Sequence, residues 1–200
     1  NMIQLKGIAW DHPRGFDPMV ETAKLFQKTN PEIEIKWDKR PLQAFADRPI
    51  EEMAFDYDLM VIDHPHVGEA SRKNLIYELN LNKKYENELL LLEKNSVGLS
   101  HQSYNFNGNQ YALAIDAAAP VSAFRDDLID NPPITFDETI KLAEKSKVIW
   151  PIKPVDSISC FNSIAANFGN PINVVPEKFI DHSLAIEILK MMKKLSKLVP

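Results

Sequence analysis

A short apolar run, residues 59–62 (Leu-Met-Val-Ile), lies between charged residues and a proline-containing turn. An unbroken run of this length is typical of a strand buried on both faces of a parallel sheet, and Pro65 excludes a long helix there. Three polar residues follow the run directly: Asp63, His64 and His66. In open α/β sheets, ligands bind beyond the carboxyl ends of the strands. The run therefore predicts an α/β fold with a parallel sheet, and a binding site beyond the carboxyl end of this strand.

The tripeptide Asp-His-Pro occurs twice, each time after a predicted strand. Asp11, His12 and Pro13 follow an apolar segment that ends in Trp10. A single Asp-His pair is most simply a turn cap beside a solvated histidine. Because the carboxyl ends of parallel strands meet at one edge of a sheet, the repetition favours a polar cluster instead. The loops expected at that edge are residues 10–14, 38–40 and 63–66.

Predicted strands and helices alternate through the first part of the chain. Asp17-Pro18 is a favourable helix start, and Asn30-Pro31 ends that helix. Residues 33–37 alternate between apolar and charged side chains, as a strand does. Residues 42–55 are predicted to be helical with an interruption at Pro49. This order predicts βαβ units in a parallel sheet with right-handed crossovers.

The middle of the chain contains a helical pattern and a hairpin signal. Residues 79–94 are predicted to form a helix, with the leucines at 89–92 in the core. Asn107-Gly108 predicts a tight hairpin between two extended segments. We place a domain boundary beyond this hairpin, with a first lobe at residues 1–116 and a second at 117–200.

The second segment is predicted to be mainly helical. Thr135 to Glu138 is a capping box, residues 148–152 are predicted to be a short strand or an extended piece, and a further helix covers 157–168 and ends near Gly169. The last helix has an amphipathic stripe formed by Leu184, Ile188, Met191, Leu195 and Leu198. With few strands to receive this stripe, we expect it to be partly exposed or covered by another copy of the chain.

Composition limits the class of partner. The formal net charge is −5 and no basic stripe is visible, which argues against a nucleic-acid partner. No apolar run is long enough to span a bilayer. The single cysteine, Cys160, permits neither an internal disulfide nor a thiolate zinc cluster. No signal peptide is recognisable after Asn1-Met2, and no cofactor motif is found.

Several segments, in order along the chain, resemble the extracellular solute-binding proteins of bacterial ABC transporters, in particular the sugar-binding type related to maltodextrin-binding protein. The specificity lies in their order and spacing rather than in any one of them. The similar segments are Phe16-Asp17-Pro18, Asn30-Pro31, Tyr57-Asp58-Leu59, Asn107-Gly108, residues 123–128, residues 133–138 and residues 164–169.

The resemblance implies a periplasmic-binding-protein-like α/β fold, in which two lobes are joined by crossing strands and ligand binds between them. It also implies a permease of an ABC transporter as partner and a location in the periplasm or on the extracellular face of the membrane. Family members are longer than this chain, so we expect it to end part-way through the second lobe. Asp116 would lie on the crossing segment and face the ligand.

The leading functional hypothesis is binding of a polar small molecule, in the first place a carbohydrate, without catalysis. Carboxylates accept hydrogen bonds from hydroxyl groups, histidine can donate or accept, and indole offers a flat apolar face. For Trp10 and Trp150, core packing explains their presence equally well. The predicted ligand-binding residues are Trp10, Asp11, His12, Asp63, His64, His66, Asp116 and Trp150.

Two other hypotheses remain at this stage. The two Asp-His pairs could hold a divalent metal ion in a metal-dependent hydrolase, although no nucleophile or glycine-rich phosphate loop accompanies them. A ligand-sensing domain without a transport role would require the same binding residues.

Overall fold

The structure is a computed structural model that describes residues 2–41, 49–81, 83–172 and 179–200. The chain is divided into two compact units, Asn1–Ala117 and Ala118–Pro200. In the described part of the chain, no helix combines the length and the apolar character needed to cross a bilayer.

Unit 1 is built on a parallel sheet of three strands, β1 (Ile3–Trp10), β2 (Ile33–Arg40) and β3 (Leu59–Met60). The strand order is β2-β1-β3, with β1 in the centre. Trp10 pairs with Arg40, and Ile8 pairs with Met60. All three strands therefore point the same way, and the predicted parallel sheet is confirmed.

Helices connect the strands and enclose the core of this unit. They are α1 (Pro13–Thr29), α2 (Ile50–Asp56), α3 (Val67–Arg72) and α4 (Glu86–Asn95), with 3₁₀ turns at His64–His66, Leu79–Leu81, Lys83–Tyr85 and Gln102–Tyr104. The central buried cluster consists of Ile8, Ile50, Met53, Ile62, Val67 and Ala70. Of the predicted helix at residues 42–55, residues 42–48 lie outside the described part.

The first helix begins earlier than the sequence predicts. The sequence favours a start at Asp17-Pro18, but α1 begins at Pro13, with His12 as its N-cap and Pro18 inside the helix. Pro13 at the first helical position lacks only an amide that would be unsatisfied there. The prediction was wrong because a favourable start was already present five residues upstream.

The predicted hairpin is confirmed at Asn107-Gly108. Strands β4 (Asn105–Phe106) and β5 (Asn109–Gln110) pair in the antiparallel sense on either side of it. Asn107 and Gly108 have φ angles of 52° and 83°, as a tight two-residue loop with both central residues at positive φ requires. Asn and Gly are the residues that adopt such angles at least cost.

The predicted helix at residues 79–94 is shorter, and its leucines do not enter the core. Two 3₁₀ turns precede α4, which begins at Glu86. Leu90, Leu91 and Leu92 are 57%, 60% and 44% exposed, so the prediction of a buried run was wrong. Four consecutive helical residues are distributed around the helix at 100° intervals, and one packing face cannot cover them all.

Unit 2 packs helices together in its described residues, 118–172 and 179–200. These are α5 (Phe136–Ala143), α6 (Asp156–Asn167) and α7 (His182–Leu195). The capping box is confirmed, since Thr135 and Glu138 bond reciprocally at the start of α5. Gly169 follows α6 at a φ of 74°, consistent with the predicted helix end. Of the two alternatives for residues 148–152, the short strand is wrong, because this segment has no regular secondary structure.

The amphipathic stripe of α7 is covered in part within the unit. Ile188 is fully buried and Leu195 is 3% exposed. Ile188 packs in a cluster with Phe161, Ile164 and Ala165 of α6. At Ile188 and Leu195 the expectation of exposure is wrong, because a second helix covers the stripe there, whereas Leu184, Met191 and Leu198 remain half-buried.

Candidate functional site

The polar loops at the carboxyl ends of the three strands share one edge of the sheet. The pairing of Trp10 with Arg40 places the ends of β1 and β2 side by side. The pairing of Ile8 with Met60 places the end of β3 on the other side of β1. The predicted convergence of residues 10–14, 38–40 and 63–66 is thereby confirmed. We call this region the sheet edge.

An ion pair joins the first two loops of the sheet edge. Asp11 Oδ1 lies 2.8 Å from Lys39 Nζ, and both side chains are about half exposed. The backbone amide of Asp11 also donates to the carbonyl of Arg40 at 2.7 Å. Asp11 therefore holds the β1 and β2 loops together.

A second ion pair brings Asp116 to the same loop. Asp116 Oδ2 lies 2.8 Å from Arg14 Nε. The Arg14 guanidinium also lies over the Trp10 ring, 5.9 Å from its centroid. Asp116, 26% exposed, thus belongs to the sheet edge, although it is far from Arg14 in sequence.

Trp10 and His12 are held by local packing. Their ring centroids are 6.4 Å apart with an interplanar angle of 16°. The Trp10 ring also lies against Gly15, where an added Cβ would be 2.3 Å from ring carbons. His12 Nδ1 accepts a hydrogen bond from the amide of Arg14 at 3.1 Å, so in the neutral ring Nε2 carries the proton. His12 therefore caps α1, and its Nε2–H donates to no residue that the structure describes.

The loop after β3 is arranged differently from the loop after β1. Asp63 precedes the 3₁₀ turn His64–His66 and makes no side-chain capping hydrogen bond. The side chains of Asp63 and His64 are exposed, and His66 is half-buried. The hypothesis that Asp63 caps its own turn finds no support, and its carboxylate is open to solvent.

Tyr104 is part of this neighbourhood, although it is not among the residues predicted to bind a ligand. Its hydroxyl donates to the carbonyl of Ile62 at 3.0 Å. Burial raises the pKa of Tyr104, and the negative charges of Asp63 and Asp116 raise it further. Tyr104 thus connects the loop of Asp63 to the hairpin segment that leads to Asp116. The only sequence signal was its position just before the hairpin, which has no specific functional meaning.

Trp150 lies in unit 2, where it packs, half-buried, against the cluster of Phe161, Ile164, Ala165 and Ile188. Packing accounts for this position, and a role for Trp150 in ligand binding stays a prediction.

The grouping of side chains at the sheet edge suits hydrogen bonding to a polar molecule. It supplies carboxylate acceptors, a tyrosine hydroxyl, imidazoles and an arginine. In the ranges that the structure describes, no three His, Cys, Asp or Glu side chains come close enough to hold a metal ion. The hypothesis of a metal-dependent hydrolase therefore finds no support there.

No family model matches the sequence. Solved structures match across the whole chain. The ABC substrate-binding protein Lmo0181 of Listeria monocytogenes, in complex with cycloalternan, aligns with 100% of this chain and 55% of its own, at 16% identity and a TM-score of 0.65. Maltose-bound MalE3 of T. maritima aligns with 99% of this chain and 55% of its own, at 18% identity and a TM-score of 0.68. The maltotriose-binding protein of Thermus thermophilus, bound with maltotriose, aligns with 99% of this chain and 55% of its own, at 19% identity and a TM-score of 0.59.

The chain has the fold of ABC substrate-binding proteins. At these identities the likeness concerns the fold alone, and it confirms the predicted resemblance at that level. The chain spans about 55% of the length of these substrate-binding proteins. In each of these three proteins the fold holds a carbohydrate: cycloalternan, maltose or maltotriose.

Proposed function

We propose that this chain belongs to the solute-binding component of an ABC-type uptake system and that its ligand is a sugar or sugar derivative. The single observation that carries the proposal is the meeting of Asp11, Asp63 and Asp116 with Arg14 and Tyr104 at one sheet edge. Paired acceptors and donors of this kind match the alternating hydroxyl groups of a carbohydrate.

The related folds support the choice of ligand class. The three substrate-binding proteins described above hold cycloalternan, maltose and maltotriose. These ligands are polyols without charge. We accordingly assign Trp10, Asp11, His12, Asp63, His64, His66 and Asp116 to sugar binding in the first lobe, residues 1–116, with Trp150 contributing from residues 117–200.

The proposal extends to cellular context. A solute-binding component delivers its ligand to a membrane permease of an ABC transporter, in the periplasm or at the extracellular face of the membrane. The charged and polar character of the sheet edge is compatible with a ligand exchanged between protein and water.

Thermal-shift measurements on the full-length gene product would test the ligand class. A ligand that binds only the native state stabilises it by about 2.7 kcal/mol at a hundredfold excess over Kd. We expect a maltodextrin or another neutral oligosaccharide to raise the melting temperature, and calorimetric titration of that sugar to give a single site. If a broad panel of sugars had no effect while amino acids or peptides did, the carbohydrate proposal would be refuted.

A further inference from the structure

The tip of the β4–β5 hairpin carries the one Asn-Gly dipeptide of the chain, Asn107-Gly108. Asparagine is among the heat-labile residues, because its side-chain carbonyl carbon can be attacked by the backbone nitrogen of the next residue. Glycine obstructs this approach least, since it has no Cβ. Every other asparagine of the chain precedes a larger residue. Asn107 is therefore the position at which this reaction meets the smallest steric barrier.

Both residues of the dipeptide are open to solvent. Asn107 and Gly108 are exposed, and a Cβ built on Gly108 would meet no atom within 4 Å. Water and dissolved bases therefore reach the amide nitrogen of Gly108 and the side chain of Asn107. The surrounding protein also leaves room for both groups to change position.

No hydrogen bond to a described residue holds either reacting group. The Asn107 side chain bonds to none of them, whereas Asn109 Oδ1 accepts from Asn80 Nδ2 at 3.2 Å. The Gly108 amide likewise donates to no acceptor in the described ranges. The hydrogen bonds of a two-residue hairpin join the strands on either side of the loop. The reaction therefore does not first have to break a bond of this kind.

The backbone of Asn107 is compatible with ring closure. Its φ is 52°, and both common types of two-residue hairpin loop have a positive φ at this first central position. The two types differ in the orientation of the central peptide, so this peptide can turn over while φ of Asn107 stays positive. Gly108 permits the turn because glycine accepts φ of either sign. The rotation brings the Gly108 nitrogen to the side of the Asn107 backbone that carries Cβ.

We propose that Asn107 is a site of non-enzymatic deamidation. The Gly108 amide loses its proton to a base in the solvent, and its nitrogen attacks Asn107 Cγ to close a succinimide ring. The bond from Cγ to the side-chain nitrogen breaks, and this nitrogen takes up protons from water and leaves as ammonia. Water then opens the ring at one of its two carbonyl carbons. One opening gives aspartate, and the other gives isoaspartate, whose main chain runs through the former side chain.

The isoaspartate product changes the length of the hairpin loop. The pairing of Phe106 with Asn109 requires a loop of two ordinary residues, and isoaspartate adds one main-chain atom to it. Tyr104 lies just before the hairpin and donates to the carbonyl of Ile62 at 3.0 Å. We expect an aged molecule to lose stability in this part of unit 1. The inference goes beyond the proposed function, because it does not depend on which ligand is bound.

Peptide mapping of the full-length protein after incubation in warm, mildly alkaline buffer tests the site. The tryptic peptide 95–125 contains Asn105 and Asn109 as internal controls, and the change from amide to acid should accumulate at Asn107 first. The native rate should lie within about tenfold of the rate in urea-unfolded protein. A slower native rate would mean that the hairpin opposes ring closure by more than about 1.4 kcal/mol, and it would overturn the proposal. Equal reaction at all three asparagines would also overturn it.

Asn107→Gly is the matched control variant. Glycine accepts the positive φ of this position and keeps the two-residue loop, but it has no side-chain amide. We expect no isoaspartate at position 107 of the variant and an unchanged melting temperature after incubation, whereas the natural protein should melt at a lower temperature than before. An equal fall in both proteins would assign the loss to another cause and refute the inferred effect on the hairpin.

Discussion

Three of the carboxylates at the sheet edge, those of Asp11, Asp63 and Asp116, differ in what they already bind. Asp11 is paired with Lys39 and Asp116 with Arg14. Asp63, by contrast, makes no ion pair with any residue in the described ranges. It is therefore the carboxylate most available to the hydroxyl groups of a ligand.

Replacement of Asp63 by alanine should reduce ligand affinity without reducing stability. A hydrogen bond to a charged group is worth about 1.5–3 kcal/mol, or roughly a ten- to hundredfold change in Kd. The melting temperature should be unchanged, because the carboxylate makes no capping bond. Calorimetric titration with the sugar identified by thermal shift, beside thermal melts, measures both quantities. A lower melting temperature with unchanged affinity would show that Asp63 is structural.

Replacement of Tyr104 by phenylalanine should destabilise unit 1 by about 1 kcal/mol, because the carbonyl of Ile62 loses its donor. Urea unfolding measures this change. Tyr77→Phe is the matched control, since Tyr77 is 89% exposed and its hydroxyl makes no bond to a described residue. Equal effects in the two variants would contradict a structural role for the Tyr104 hydroxyl.

Because the pKa of Tyr104 is raised, the contribution of Tyr104 to the stability of unit 1 depends on pH. The contribution is complete below the ordinary tyrosine value of about 10. Above that value the unfolded chain ionises first, so the contribution is lost as the pH rises through the higher pKa of the folded state. The loss of stability above pH ~10 should therefore be smaller in Tyr104→Phe than in the natural protein.

The sequence predicted the chemistry of the sheet edge better than the function of each residue. The helical turn begins at the proline of the first Asp-His-Pro tripeptide, Pro13, and at the histidine of the second, His64. In the first, His12 is the N-cap and its ring accepts from Arg14, whereas in the second Asp63 has that position and makes no side-chain bond. A shift of one residue changes which side chain is free, and spacing in the sequence does not reveal it.

Among the elements, α5 has the best-defined N-terminus. Glu138 Oε2 accepts from the amides of Ile134 at 2.8 Å and Thr135 at 3.0 Å. These bonds to the charged form lower the pKa of Glu138. The stabilisation they provide is present above the ordinary glutamate pKa and is lost as the pH falls through the lowered value.

Glu138→Gln should therefore destabilise unit 2 at neutral pH and have less effect in acid. Urea unfolding of both proteins from neutral to acidic pH gives the difference in unfolding free energy. We expect this difference to shrink as Glu138 becomes protonated in the natural protein. A difference that stayed constant over the whole range would show that the charge of Glu138 is irrelevant.

The packing of α6 on α7 predicts a large effect at Ile188. Ile188→Ala should destabilise unit 2 by about 2–5 kcal/mol, because it leaves a cavity in a closed core. Leu189→Ala is the control on the next residue, which is 55% exposed, and it should cost less than about 0.5 kcal/mol. Urea unfolding distinguishes them, and comparable losses would mean that the packing of α6 on α7 is absent in solution.

At the scale of the whole molecule, the order of elements was predictable and the long-range pairings were not. Alternating strand and helix patterns implied the parallel sheet, and Asn107-Gly108 implied the hairpin. The ion pair of Arg14 with Asp116 joins positions more than half the chain apart, and no local pattern encodes it. At residues 148–152 the sequence did not decide between a short strand and an extended piece, and the segment has no regular secondary structure, with Ile149 87% exposed.

Limited proteolysis should cut first between residues 117 and 128. Every residue in this range is exposed, and none is in a helix or strand. Val121 is 86% exposed and Phe124 is 51% exposed. Extended, exposed backbone fits a protease active site, whereas packed helices do not. Mass spectrometry of early thermolysin fragments identifies the sites, and a first cut within α6 or α7 would contradict the observed packing.

The ion pair between Arg14 and Asp116 also has a consequence for the time course of synthesis. A chain grows at about 5–20 residues per second, so Asp116 is made roughly 5–20 s after Arg14. Lys39 follows Asp11 far sooner, and the first two loops can pair while the ribosome is still translating the hairpin. Arg14 cannot form its ion pair with Asp116 until the last residues of unit 1 are translated. The surface that we assign to the ligand is therefore the last part of this unit to be completed on a nascent chain.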